Sequence, residues 1–293
     1  MKKFKNILLF LSSGFLSVSL LAQDTGQVNT VAKAKPVKNT FESVWLIDNQ
    51  TVMVPVKGTL EFDIQHRFGT VENGKKDVWG IFAPSNIRLG MNYSPINKLY
   101  LGAGLTKEKI QIDLNAKYAL LQQTPGTMPV SVTYFGNMVI DTRDDSYFEN
   151  DVDRLSYFNQ LLIARKISDK FSAQIAPSFS WFNNVEAYID SKGEEQPKMN
   201  NGHFAISVAG RYKITPRSAI IAGYDQPLTQ HPTNNPHPNI CFGYEITTSS
   251  HAFQIIVGNY YSILPQYNNV YNPNDYTEGQ FLIGFNISRL WNF

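Results

Sequence analysis

The sequence predicts an all-β protein, an antiparallel transmembrane β-barrel of about twelve strands. Three observations favour this fold class. Only 17% of the 293 residues are charged and 13% are aromatic, whereas soluble domains have about 25% charged residues. Mean hydropathy is nevertheless negative, at −0.24, which excludes a helical membrane protein. Apolar and polar residues alternate along most of the chain, and the last strand stops at a terminal phenylalanine.

The N-terminus has the pattern of a targeting segment. Lys2, Lys3 and Lys5 precede an apolar stretch over residues 7–21, and Ala22 follows it. This arrangement predicts a signal peptide over residues 1–22 that is cleaved on export. No later segment reaches about 18 continuous apolar residues, the length of a spanning helix. Residues 23–40 are small and polar, and we expect a flexible leader there.

Residues 41–58 leave three interpretations open: a periplasmic helix, a plug or an extra strand segment. Phe41, Val44 and Trp45 fit one face of a short helix, while residues 52–56 alternate like a strand. An extra strand pair would change only the diameter of the barrel. The barrel itself is predicted over residues 59–293.

Twelve segments after residue 58 alternate with the two-residue period of a β-strand. In the first of them, Leu60, Phe62 and Ile64 alternate with polar or charged residues. A tilted strand that crosses a bilayer needs about 9–11 residues, and most of these segments are close to that length. The segments, of which 98–105 and 218–225 are the least regular, are 59–68, 86–93, 98–105, 109–118, 130–137, 153–165, 171–182, 203–213, 218–225, 238–245, 252–261 and 279–293.

The connections and the C-terminus support a barrel over a soluble sandwich. Long polar links tend to alternate with short turns, the asymmetry of outer-membrane barrels. An even number of strands then puts both termini on the periplasmic side. The last strand resembles the C-terminal recognition strand that the barrel-assembly machinery reads. The residues that carry this resemblance are Phe285, Ile287, Trp291 and Phe293.

Three stretches resemble a known family: KGTLEFDIQHRFG (57–69), NIRLGMNYSP (86–95) and IDLNAKYALLQQ (112–123). They are similar to a family of uncharacterised β-barrel proteins, a domain of unknown function typical of Bacteroidetes-type bacteria. The resemblance implies a barrel fold and an outer-membrane location. It implies no activity.

The inward row of the early strands is unusually charged. Charged side chains on the lipid face would cost several kcal/mol at mid-depth, so we expect these to face the lumen. They could line a water-filled path and set its selectivity, or pair and fill a closed barrel. The candidate lumen-lining residues are Glu61, Asp63, Arg67, Arg88, Asp113 and Lys117.

Function is predicted as a narrow channel or transport-type barrel for small polar solutes or ions. A closed barrel that presents loops to a partner is the alternative, and a lipid-modifying enzyme using His66 is the second. His66 has no adjacent nucleophile motif, so we expect no enzymatic activity and assign no catalytic residue. We expect outer-membrane lipid and lipopolysaccharide as partners, and no nucleic acid, cofactor or metal site. Weaker candidate sites are Cys241 as a catalytic residue, His231 with His237 as metal ligands, and the acidic link 141–153 as an ion-binding loop.

Overall fold

The computed structural model describes residues 34–185 and 187–293. Within them, twelve antiparallel strands form one closed barrel in chain order, and the last strand pairs with the first. This confirms the predicted fold class. The strands are β1 Thr59–Thr70, β2 Asn86–Ile96, β3 Leu99–Thr106, β4 Gln111–Leu121, β5 Ser131–Asp141, β6 Leu155–Lys166, β7 Phe171–Phe182, β8 Gly202–Thr215, β9 Ser218–Pro227, β10 Asn239–Thr247, β11 His251–Gly258 and β12 Leu282–Asn292.

The two ends of the barrel differ in their connections. At the short-turn end lie residue 58, the C-terminus and the links 97–98, 122–130, 167–170, 216–217 and 248–250. The long-loop end carries the links 71–85, 107–110, 142–154, 183–201, 228–238 and 259–281. Its regular elements are the 3-10 turns Val71–Lys76, Glu108–Ile110, Asp145–Tyr147, Asp151–Arg154 and Tyr276–Glu278, the hairpin Tyr188–Ile189 with Glu195–Gln196, and helix α1, Pro265–Tyr271.

Side chains alternate between lumen and lipid along each strand. On β2, Leu89 and Met91 are exposed on the outer surface, while Arg88 and Asn92 are buried. A closed sheet produces this pattern because successive side chains point to opposite faces. The exposed apolar row therefore forms the surface that contacts lipid. None of the helices within the described ranges has the length and apolar character needed to span a membrane.

Residues 41–54, here called the lumenal segment, lie inside the barrel. The segment forms a small hairpin in which Trp45–Leu46 pairs with Asn49–Gln50. Its apolar side chains are buried against inward residues of β5, β6, β9, β10 and β11, so they share one core with the barrel wall. The members of this core include Phe41, Leu46, Ile47, Val52, Phe135, Phe158, Leu162, Ile221, Cys241 and Ile256.

Helix α1 occupies the lumen from the long-loop end. Its residues from Pro265 to Val270 are buried, and Tyr267 packs edge-on against Phe182 of β7 with ring centroids 5.2 Å apart. The barrel interior is thus filled from both ends. The predicted signal peptide over residues 1–22 and the first part of the leader lie outside the described residues.

Candidate functional site

The charged inward row predicted from the sequence lies on β1, β2 and β4. All six side chains point into the barrel, and their exposed fractions are 0–2%. Their contacts are ion pairs and hydrogen bonds with each other, with the wall and with the lumenal segment. In this conformation protein atoms therefore cover the six side chains, which do not line an open aqueous path. These residues are Glu61, Asp63, Arg67, Arg88, Asp113 and Lys117.

Arg88 connects two aspartates across three strands. Its Nη1 lies 2.7 Å from Oδ1 of Asp63, and its Nε and Nη2 each lie 2.8 Å from a different oxygen of Asp113. The second contact is bidentate, the geometry that suits a guanidinium and a carboxylate. Asn92 donates to the other oxygen of Asp63 at 2.8 Å. The group therefore satisfies most of its own charge inside the barrel.

Two glycines make room for this cluster. A Cβ on Gly90 would lie 2.2 Å from Oδ2 of Asp63, and one on Gly104 would lie 2.3 Å from Oδ1 of Asp113. A side chain at either position would displace the carboxylate from its hydrogen bonds. Because the glycines have none, the Arg88 guanidinium fits between these two positions and the lumenal segment, with its Cζ 5.3 Å from the Trp45 ring centroid.

Lys117 joins the wall to the lumenal segment. Its Nζ donates to Oε1 of Gln50 at 2.7 Å and to the carbonyl oxygen of Thr51 at 3.2 Å. The same ammonium lies 5.0 Å from the ring centroid of Tyr100, whose hydroxyl donates to Glu61 at 2.7 Å. A wall cation therefore binds two oxygen atoms of the segment.

Other ion pairs and hydrogen bonds hold the hairpin of the lumenal segment. Arg67 pairs with Asp48 and donates to Asn286 at 3.0 Å. Asn49 donates to Asp225 of β9 at 2.9 Å. These bonds fix the tip of the hairpin between β1 and β9, which are four strands apart around the barrel.

A second charged group lies on the later strands, where the sequence analysis assigned no site. Arg211 donates to Glu245 at 2.6 Å, and Ser43 of the lumenal segment donates to the other oxygen of Glu245 at 2.7 Å. Gln254 donates to the carbonyl oxygen of Trp45 at 2.9 Å. The two-residue alternation that identified the early charged row also covers these strands, so the sequence contained the signal for this second group.

His66 lies on the outer face of β1, as its place in the alternation predicts. Its ring stacks on Phe285 at 5.0 Å and meets Phe68 edge-on at 4.4 Å. Its Nδ1 makes no hydrogen bond to any described residue. Two aromatic rings thus contact the imidazole, and none of the described residues orients it through Nδ1, as acyl transfer requires.

The other candidates form internal contacts. His231 stacks on His203, with ring nitrogens 2.8 Å apart, rather than on His237, which lies 3.6 Å from Asp275. In the acidic link, Arg143 pairs with Asp141 at 2.8 Å. Cys241 is buried in the lumen. Among residues 34–185 and 187–293, no three His, Cys, Asp or Glu side chains are grouped to hold a metal ion.

The residues predicted as an assembly signal lie on or after β12. Phe285 and Ile287 pair with His66 and Ile64 of β1 at the closure of the barrel. Trp291 lies beside Arg289, whose guanidinium is 4.7 Å from the indole centroid. Phe293 follows the strand, and its backbone nitrogen donates to Gly58 at 3.2 Å. Their recognition by the assembly machinery stays a prediction.

Solved structures similar to this chain include two porins and an outer membrane channel. The NanC porin is 11% identical, with 80% of this chain and 99% of that chain covered and a TM-score of 0.47. The COG4313 outer membrane channel from Pseudomonas putida F1 is 12% identical, with 82% and 97% covered and a TM-score of 0.48. The KdgM porin is 9% identical, with 80% and 99% covered and a TM-score of 0.44.

A search of curated proteins gives no match. Residues 41–291, which include the lumenal segment and nearly all of the barrel, match a family described as membrane bound beta barrel domain (DUF5777). The chain therefore belongs to this family of membrane-bound β-barrels.

Proposed function

We propose that the protein is a gated outer-membrane channel for small polar solutes or ions, without enzymatic activity, and that the lumenal segment closes it. In this proposal the signal peptide over residues 1–22 is cleaved on export, and both termini face the periplasm. Withdrawal of residues 41–54 toward the short-turn end opens the lumen. Helix α1 narrows the opposite end and limits the size of the solute.

The observation that carries the proposal is the chemistry of the contact between segment and wall. Beside the apolar core that it shares with the segment, the wall meets the segment through side-chain hydrogen bonds and ion pairs, such as those of Lys117, Arg67 and Gln254. Water can replace each of these partners when the segment leaves, because the freed wall groups are polar or charged. A wall built only to pack a permanent core would favour apolar side chains.

The route of withdrawal also supports gating. The chain enters the barrel from the short-turn end, where the backbone nitrogen of Val37 donates to Gln123 at 2.8 Å. A cavity of about 540 Å³ lies at this end and is lined in part by residues 37–40 and 52–56. The segment can therefore leave without crossing a strand of the barrel.

A permanently closed barrel that presents its long loops to a partner is the second candidate function. It is favoured by the burial of the six charged residues to 0–2% exposure. It is also favoured by the second lumen occupant, helix α1, which enters from the opposite end. A protein with this role would never conduct.

Planar-bilayer conductance with a reversible tether tests the proposal. Asn49→Cys and Asp225→Cys, whose native side chains lie 2.9 Å apart, are introduced together with Cys241→Ala and joined by a short, reducible bifunctional thiol reagent. Folding is first established by heat-modifiable gel mobility. We expect brief conductance steps before the reagent is added, their loss after cross-linking, and their return after reduction.

The single variant Asn49→Cys, treated with the same reagent, is the matched control and should keep its steps. Steps that persist after cross-linking of the double variant would mean that ions bypass the lumenal segment. A folded barrel that never conducts, with or without the tether, would favour the closed barrel.

A further inference from the structure

A cavity of about 460 Å³ opens at the long-loop end, beside helix α1. Its volume lies in the range of small-molecule sites, about 300–1,000 Å³. The walls come from α1 and from the links 107–110, 183–201, 228–238 and 259–281. The residues used below are Glu108, Lys109, Tyr188, Tyr261, Tyr267, Asn268 and Tyr271.

Four tyrosine side chains contribute to the lining. Tyr267 and Tyr271 lie on successive turns of α1 with ring centroids 5.9 Å apart. Phe182 fixes both rings, because its own centroid lies 5.2 Å from each of them. Tyr188 and Tyr261 add two further rings from neighbouring links. A rigid aromatic wall with hydroxyl tips suits a ligand that has both C–H faces and polar edges.

Asn268 is a buried polar residue of the lining. Its side chain is only 3% exposed, it lines the cavity, and neither Nδ2 nor Oδ1 makes a hydrogen bond to any described residue. Buried amides are otherwise almost always hydrogen-bonded. An amide offers donors and an acceptor side by side, which matches the hydroxyl groups of a polyol.

The charge of the cavity favours an uncharged ligand. Among the described lining residues, only Glu108 and Lys109 carry charge, and their signs are opposite. The Glu108 carboxylate accepts from Ser262 at 2.6 Å and from Asn86 at 3.2 Å. The Lys109 ammonium lies 5.7 Å from the ring centroids of both Tyr267 and Tyr271. Both charges are thus engaged within the wall itself.

We propose that this cavity is a binding site for a neutral saccharide, with Asn268 as its hydroxyl-recognising group and the tyrosines as its stacking surface. The inference goes beyond the gated channel and does not depend on it. A ligand binds here whether or not the lumenal segment ever moves.

Isothermal titration calorimetry of the full chain tests the site. The protein is kept in an amine-oxide detergent, because a detergent with a sugar headgroup would compete. The probes are cellobiose and maltose, with the acidic disaccharide cellobiouronic acid for comparison. We expect at least one neutral disaccharide to bind and the acidic one to bind more weakly.

Two matched variants of α1 locate the binding. Asn268→Leu should weaken the affinity for the neutral disaccharide about tenfold, the effect of one lost hydrogen bond. Gln266→Leu should leave it unchanged, since Gln266 is also buried without a hydrogen-bond partner among the described residues but does not line the cavity. Neither variant should lower thermal stability, because each removes a buried amide that bonds to no described residue.

Three outcomes would overturn the proposal. Absence of heat with both neutral disaccharides would exclude the saccharide class. An equal loss of affinity in the two variants would mean that the ligand binds elsewhere, or that its affinity depends on the position of α1 and not on the Asn268 amide. Tighter binding of the acidic disaccharide would contradict the charge argument.

Discussion

The sharpest test of the gate is Gln50→Leu, a change on the lumenal segment itself. The Gln50 side chain is 1% exposed, and its Oε1 accepts the 2.7 Å hydrogen bond from Lys117. Leucine is similar in size, so the hairpin keeps its packing. The backbone carbonyl of residue 50 still accepts from Gln174 at 2.8 Å. Only the side-chain bond to the ammonium is removed.

The size of the effect follows from what Lys117 loses. In the closed conformation its remaining hydrogen bond to the described residues is the 3.2 Å bond to the carbonyl of Thr51, whereas after withdrawal of the segment water solvates it fully. A hydrogen bond to a charged group contributes about 1.5–3 kcal/mol. Since 1.4 kcal/mol is a factor of ten, the ratio of closed to open channels should fall about 10- to 150-fold.

Open probability in planar bilayers measures this ratio directly. Gln111→Leu is the matched control, because Gln111 is also a buried glutamine (1% exposed) on the lumen face and makes no side-chain hydrogen bond to the lumenal segment. It should leave the open probability unchanged. An equal open probability for Gln50→Leu and wild type, in protein shown to be folded, would refute the claim that these contacts hold the gate.

Three further predictions concern the wall and its loops. Arg88→Met leaves two buried aspartates without their cation and should lower folding stability by about 3–5 kcal/mol, measured by urea-induced loss of heat-modifiable mobility. Gly104→Ala places a Cβ 2.3 Å from Asp113 and should reduce the folded fraction, whereas Gly136→Ala, with no contact closer than 3.2 Å, should not. Hydrogen bonds hold the pKa of the loop carboxyl Asp77 below its usual value. The ionised Asp77 carboxylate therefore orders the loop fully above the ordinary aspartate pKa, and this order is lost as the pH falls through the lowered pKa of Asp77. Asp77→Asn should abolish this pH dependence, measured as the rate at which pepsin cleaves the loop.

The strands could be predicted because their signal is local. β7 spans residues 171–182, as its alternation predicts, and the remaining strands differ by a few residues at their ends. Ends are harder because turn residues such as Pro95 continue a strand in the structure although they are typical of turns. The inward direction of Arg88 and Lys117 followed from the same two-residue period, since a lipid-facing charge is costly.

The content of the lumen could not be predicted in this way, because its contacts are not local. Asn286 donates to the carbonyl of Ile47 at 2.7 Å across 239 residues of sequence, and no periodicity encodes such a pairing. One signal did point to it. Phe135, Phe158 and Leu162 lie on the inward face of β5 and β6. In a water-filled lumen their apolar surface would be exposed to water, which is unfavourable. Apolar residues on an inward row therefore predict an occupant with an apolar face. Charged residues on the same row predict that part of that occupant is polar, and the lumenal segment has both faces.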